Sequence, residues 1–184
     1  MHESLRERIA SVVLPERERD RHQLASWSWP AVGWVSGFLG AFVVAVFFLA
    51  IDWVAGRPLW TPAALGSALF LGQRLPPEAH PPVVLVVGYT AVHLGVFAGL
   101  GLIAATALSV RRRLGNPDRL LVIGVGLFVA FELSFAAFAL LFARTLMGDL
   151  GAWRITSANA LAAAAMTAFL GRMAARLEPD APNP

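Results

Sequence analysis

The sequence contains no cysteine and no lysine, and charged side chains make up only 15% of its 184 residues. Without cysteine, the chain forms no disulfide bond and offers neither a thiolate metal site nor thiol redox chemistry. All 15 basic residues are arginine, and the formal net charge of +3 is small. A charge this modest gives no reason to expect a nucleic-acid partner, because basic residues beside apolar segments normally report membrane topology.

The sequence also lacks the short motifs that mark common catalytic sites. It contains no Gly-rich phosphate-binding loop, no GxSxG nucleophile motif and no HExxH zinc motif. We therefore expect no cofactor, and the sequence favours a non-enzymatic protein over an enzyme.

Four long segments are almost free of charge, in a chain that is 57% hydrophobic. They cover residues 31–53, 83–110, 120–143 and 153–170. About 20 apolar residues suffice to cross the hydrocarbon core of a membrane as an α-helix. The sequence therefore predicts an all-α fold, a four-transmembrane-helix bundle that forms one domain at residues 30–171. The fourth segment is rich in alanine and only marginally apolar, so we expect it to need its neighbours to stay inserted.

Shorter elements are predicted outside the spans. Residues 1–29 are rich in Arg and Glu, with apolar residues at helical spacing, which indicates an amphipathic cytoplasmic segment on the membrane surface. Residues 62–72 have helical composition but are too few to cross a membrane. They predict an extra short helix in the first outer loop, interfacial or re-entrant, with Thr61 as its N-cap and Pro62 in its first turn. A cytoplasmic tail follows at 172–184.

The arginines predict the orientation of the chain. Eleven of them lie in the N-terminal segment, the 111–119 loop and the C-terminal tail, and four lie in the loops on the other side. Cytoplasmic loops carry the excess of basic residues, so both termini are predicted to be cytoplasmic and the chain to be a multi-pass protein of the inner membrane. Within the basic loop, Arg111, Arg112 and Arg113 are candidate contacts for anionic lipid head groups.

The segment Gly-Arg-Pro-Leu-Trp-Thr-Pro at 56–62, with Tyr-Thr-Ala-Val-His at 89–93, is similar to a pattern found in small bacterial polytopic membrane proteins. The resemblance covers about a third of the chain. It implies a bacterial membrane origin, and it carries over no activity and no functional residue.

Small residues recur at helical spacing in the first two spans. Membrane helices associate where small residues let their backbones approach closely. The first span contains a row of this kind, and the second contains a GxxxG pair nearly opposite His93. The row in the first span consists of Gly33, Gly37, Ala41 and Ala45. The pair in the second span is Gly95 and Gly99. The second span is therefore expected to contact neighbours on two sides.

Polar side chains inside the apolar segments mark the candidate site. An ionised carboxylate at the depth of Glu132 costs about 2.5–3.5 kcal/mol on insertion scales, so it needs a partner, water or a proton. His93 and Asn159 occur at similar depths on two other spans. We expect Glu132 and His93 to face each other, with Asn159 as a third partner. Further candidates for binding a ligand or a proton are Tyr89, Thr90 and Asp52, the last at an entrance.

Several functions remain open at this point. The leading hypothesis is a small non-enzymatic membrane protein, namely a subunit, scaffold or assembly factor that binds membrane lipids and a protein partner or further copies of itself. The alternative is a proton-coupled transporter or an ion- or ligand-binding membrane protein that uses Glu132 and His93. A metal site at these two residues has weaker support, because zinc normally takes three or four strong ligands. For the polar residues themselves, a purely structural clamp that fixes the register of the helices is favoured over a proton or ligand site and over a metal site.

Overall fold

The computed structural model describes residues 28–113, 118–142 and 150–177, and for residues 111–113 it describes the backbone alone. The predicted amphipathic helix at the N-terminus lies outside the described residues. So do the side chains of Arg111, Arg112 and Arg113, and the end of the C-terminal tail.

The described chain forms five helices. They are α1 (Trp29–Val54), α2 (Trp60–Leu71), α3 (Val83–Arg113), α4 (Arg119–Phe142) and α5 (Ala152–Leu177). All of them except α2 are long and apolar enough to cross a membrane, and α5 has the lowest mean hydropathy, 1.2 against 2.0–2.4 for the others. The predicted all-α fold with four long apolar helices and one extra short helix is confirmed, and the chain is a multi-pass membrane protein.

The four long helices form an antiparallel ring. Helix α1 packs against α3 and α5, and α4 packs against the same two helices. Helix α2 lies at one end of this ring, where α1 and α4 end and α3 and α5 begin; we call it the α2 end. A larger apolar core fills the rest of the bundle and includes Leu108, Phe131 and Met166.

Glycines allow α1 and α3 to approach each other closely. A Cβ atom on Gly37 would lie less than 3.0 Å from the backbone of Phe97 and Ala98, and a Cβ on Gly33 would meet the Cα of Leu102 at 2.8 Å. The predicted small-residue row therefore packs at Gly33 and Gly37. Ala45, at the end of the same row, is exposed.

Helix α2 is buried on most of its surface. Trp60 is 1% exposed, and Ala63, Ala64, Leu65 and Ala68 are also buried, against side chains from all four long helices. The Trp60 Nε1 donates a hydrogen bond to the carbonyl oxygen of Pro76 at 3.3 Å, and the Arg57 guanidinium lies 4.0 Å from the centre of the Trp60 ring. This helix is thus part of the bundle's core at the α2 end.

The prediction that Thr61 is the N-cap of this helix is wrong. The N-cap is Leu59, which has a left-handed conformation with φ 66°, and Thr61 lies within the first turn. Asp52 of α1 supplies the capping oxygens from outside the helix. Its two carboxylate oxygens accept hydrogen bonds from the Thr61 backbone N–H and from Thr61 Oγ1, both at 2.7 Å.

Candidate functional site

A cavity of about 370 Å³ lies beside α2, and residues of all five helices line it. Its walls are mainly apolar and aromatic. The aromatic side chains are Phe42, Phe48, Tyr89, His93, Phe97, Phe131, Phe135 and Phe138. The other polar side chains are Thr61, Thr90, Ser134 and Asn159. Among the described residues, no Asp, Glu or Arg lines this cavity.

Glu132 receives two hydrogen bonds from α5. Asn159 Nδ2 donates to its Oε1 at 2.9 Å, and Thr156 Oγ1 donates to its Oε2 at 3.3 Å. Asn159 and Thr156 are three residues apart, so one face of α5 presents both donors. The structure therefore brings Glu132 and Asn159 together, as the sequence predicted, and adds Thr156. Asn159 also lines the cavity, whereas Glu132 does not.

His93 has a different partner from the one predicted. Its Nε2 lies 3.3 Å from the carbonyl oxygen of Ala41 on α1. A carbonyl only accepts, so Nε2 carries the proton, and in the neutral ring Nδ1 is an acceptor. Within the described part of the chain, no hydrogen bond joins His93 to Glu132, and the predicted pairing of these two side chains is therefore wrong.

Aromatic packing accounts for this difference. Phe97, one turn after His93, stacks on Phe131, the residue before Glu132, with ring centroids 4.6 Å apart. These rings lie in the contact between α3 and α4, at the level where the sequence predicted that His93 and Glu132 face each other. Glu132 instead points to α5. The close approach of α1 to α3 brings the Ala41 carbonyl within reach of the imidazole.

The other predicted site residues differ in what they can offer a ligand. Tyr89 is half-buried and stacks on His93 with ring centroids 5.7 Å apart. Thr90 lines the cavity, but its hydroxyl donates to the Val86 carbonyl of its own helix at 2.7 Å. Asp52 was expected at an entrance. It is instead 2% exposed, and its carboxylate holds Thr61 at the start of α2.

His93 and Glu132 were also weak candidates for metal ligands. The described residues contain no group of three or more His, Asp or Glu side chains that could hold a metal ion. We therefore propose no metal site at these residues.

The aromatic walls of the cavity were not predicted from the sequence. Phe131, Phe135 and Phe138 follow at spacings of four and three, which puts them on one face of α4. That spacing is readable in the sequence. It was not distinguishable from lipid-facing phenylalanine, since both are apolar. The Ala41 carbonyl left no sequence signal at all.

Comparisons of the chain with protein-family models, with curated proteins and with solved structures found no match. The resemblance of residues 56–62 and 89–93 to small bacterial polytopic proteins therefore stays a sequence-based expectation.

Proposed function

We propose that this protein is a non-enzymatic ligand-binding protein of a bacterial inner membrane, which takes an uncharged, largely apolar molecule from the bilayer into the cavity beside α2. The single observation that carries the proposal is this cavity, which side chains of all five helices line. Its volume of about 370 Å³ falls within the usual range for small-molecule sites, roughly 300–1,000 Å³.

The position of the exposed lining residues supports access from the lipid. Phe42 of α1 is 65% exposed, and Val92 and Val96 of α3 are 42% and 44% exposed. All three also line the cavity. Helices α1 and α3 meet at Gly33 and Gly37, so an opening between them lies nearer the α2 end. A molecule dissolved in the hydrocarbon can reach the cavity by this route without crossing water.

The chemistry of the lining supports an uncharged ligand. A charged group taken into an apolar site must be paired, because the loss of hydration is otherwise too costly. The described lining residues offer neither a guanidinium to a phosphate nor a carboxylate to an ammonium group. They do offer hydroxyl, amide and imidazole groups, which suit a neutral polar head.

Native mass spectrometry with two probes of matched chain, hexadecanol and palmitate, tests the proposal. We expect one hexadecanol to bind saturably and palmitate to bind much more weakly. The variant Val92→Trp narrows the opening and should reduce the occupancy by hexadecanol. Ile103→Trp is the matched control, because Ile103 is exposed on the same helix and does not line the cavity. Non-saturable binding, or equal loss in both variants, would overturn the proposal.

A second candidate function is that of a subunit or scaffold in a larger membrane assembly, and the Gly95–Gly99 pair favours it. A Cβ atom on either glycine would meet nothing within 4 Å, and Gly95 is exposed. In lipid, such a pair lets a further helix approach. Gly95→Leu should release partners that co-purify with the protein, and an unchanged assembly would contradict this function.

The proton-coupled transporter that uses His93 and Glu132 has less support. The two groups belong to separate hydrogen-bonding sets, one on α1 and α3 and the other on α4 and α5. A shared proton requires direct contact or a relay between them.

A further inference from the structure

Aromatic rings form a continuous row along one wall of the cavity. Tyr89 stacks on His93 with centroids 5.7 Å apart, and Phe97 stacks on Phe131 at 4.6 Å. Between them, the rings of His93 and Phe97 form a tilted pair at 4.6 Å. On α4, Phe135 and Phe138 add a tilted pair at 6.3 Å. Rings prefer other rings at such separations, and a pair contributes about 0.5–1.5 kcal/mol beyond area burial. A flat unsaturated ring gains this term here, whereas a saturated chain does not.

The cavity also presents hydrogen-bonding groups of both kinds. Tyr89 is the single tyrosine of the chain, and no described residue hydrogen-bonds its hydroxyl. In the described part of the chain, Ser36 Oγ is the fully buried side-chain polar atom without a partner. Tyr89 lines the cavity, so its hydroxyl is available there as a donor.

Acceptors are available on α5 and, one turn after Tyr89, on α3. The Nδ2 of Asn159 is engaged by Glu132, which leaves its Oδ1 as an acceptor. The Nε2–H of His93 is engaged by Ala41, which leaves Nδ1 as an acceptor in the neutral ring. Glu132 and the Ala41 carbonyl thus act as positioning groups. Each accepts a hydrogen bond from one polar atom of Asn159 or His93, and so determines which other atom of that side chain can accept from a ligand.

We infer that the ligand is a membrane-soluble quinone or its quinol, with the ring among the aromatic side chains and the hydrocarbon tail leaving between α1 and α3. This inference rests on the proposed function. The Tyr89 hydroxyl donates to a ring carbonyl of the quinone. Asn159 Oδ1 and His93 Nδ1 accept from the ring hydroxyls of the quinol. A ring with oxygens on opposite edges can use groups on α3 and α5 at once, which a linear alcohol cannot.

The test measures the affinity of the full-length protein in nanodiscs for decylubiquinone and for hexadecanol, with competition between the two. We expect decylubiquinone to bind at least tenfold more tightly. Tyr89→Phe keeps the ring and removes the donor, so it should weaken decylubiquinone binding about 3- to 10-fold, the usual range for one lost hydrogen bond. Ser109→Ala, which removes a hydroxyl at the other end of α3, should leave the affinity unchanged.

A second pair of variants tests the stacking. Phe135→Leu in the cavity wall should weaken decylubiquinone binding about 2- to 10-fold, whereas Phe128→Leu on the same helix, outside the cavity, should not. If hexadecanol binds as tightly as decylubiquinone, or if neither cavity variant weakens quinone binding, the quinone inference is overturned and the proposed function stands. If neither probe binds, both are overturned.

Discussion

The pairing of Glu132 depends on which neighbouring helix turns hydrogen-bond donors toward it. The sequence alone shows that a carboxylate in an apolar segment needs partners, and it places two candidates at similar depth. It does not show how far a helix is rotated, and that rotation decides between them. Asn159 and Thr156 lie one turn apart and together offer two donors, whereas the aromatic pair of Phe97 and Phe131 occupies the route to His93.

A double-mutant cycle measures this preference. We expect Glu132→Ala and Asn159→Ala to show a coupling of about 0.6–1.7 kcal/mol in the free energy of unfolding, the range found for polar contacts between membrane helices. The cycle of Glu132→Ala with His93→Ala is the control. Its two effects should add, because the two side chains share no hydrogen bond. A larger coupling to His93 than to Asn159 would contradict the geometry described above.

Among the helices, the contact between α1 and α3 shows what glycine does in a membrane protein. Gly37 and Gly95 were both predicted to pack, on the same argument of small residues at a spacing of four. The structure separates them, since one meets the backbone of a neighbour and the other meets nothing within 4 Å. The pattern alone identifies faces that can pack. Whether a partner is present depends on the whole arrangement, including other chains.

The two glycines give a matched experiment on thermal unfolding in one detergent. Gly37→Ala should lower the stability by about 1–3 kcal/mol, because the new methyl group forces α1 and α3 apart. Gly95→Ala should be neutral or stabilise the protein by up to about 1 kcal/mol, since alanine favours the helix and finds free space. An equal loss in both variants would mean that Gly95 has a close neighbour in the purified protein.

The sequence predicted that the short helix α2 forms, but it did not predict that α2 packs inside the bundle. Its composition and the Thr61–Pro62 pair predicted a helix, and one forms. Its nearly uniform apolar character gave no face to assign to lipid or protein. The capping contact of Asp52 with Thr61 joins residues nine positions apart across a loop. The turn that brings them together has its left-handed conformation at Leu59 rather than at a glycine, so the sequence gives no signal of it.

For the whole molecule, the number of spans followed directly from hydropathy, because only a long apolar helix crosses a bilayer. The end of the last span did not, since α5 continues to Leu177, beyond the predicted end at residue 170 and into the predicted tail. The cavity did not follow, since an unfilled space depends on the mutual tilt of helices rather than on any one of them. The direction of the chain across the membrane depends on arginine placement, and it stays a prediction.

Because the chain has no cysteine, single-cysteine variants can measure its direction across the membrane. Glu78→Cys places one thiol at the α2 end, and Ala175→Cys places one at the opposite end; both positions are exposed. We expect a membrane-impermeant maleimide to label the first variant in intact cells and the second only after permeabilisation. The unmodified chain is an unlabelled control. The reverse pattern would mean that the termini face outward.

The position of the donors on α5 also sets an order of events during synthesis. Ribosomes deliver the chain from its N-terminus, so Glu132 emerges before Thr156 and Asn159 exist. The helix that supplies them is the least apolar of the four. Until it arrives, the carboxylate has no α5 donor, and one wall of the cavity is missing. Insertion of the last helix therefore pairs the carboxylate of Glu132 and completes the wall of the cavity in a single step.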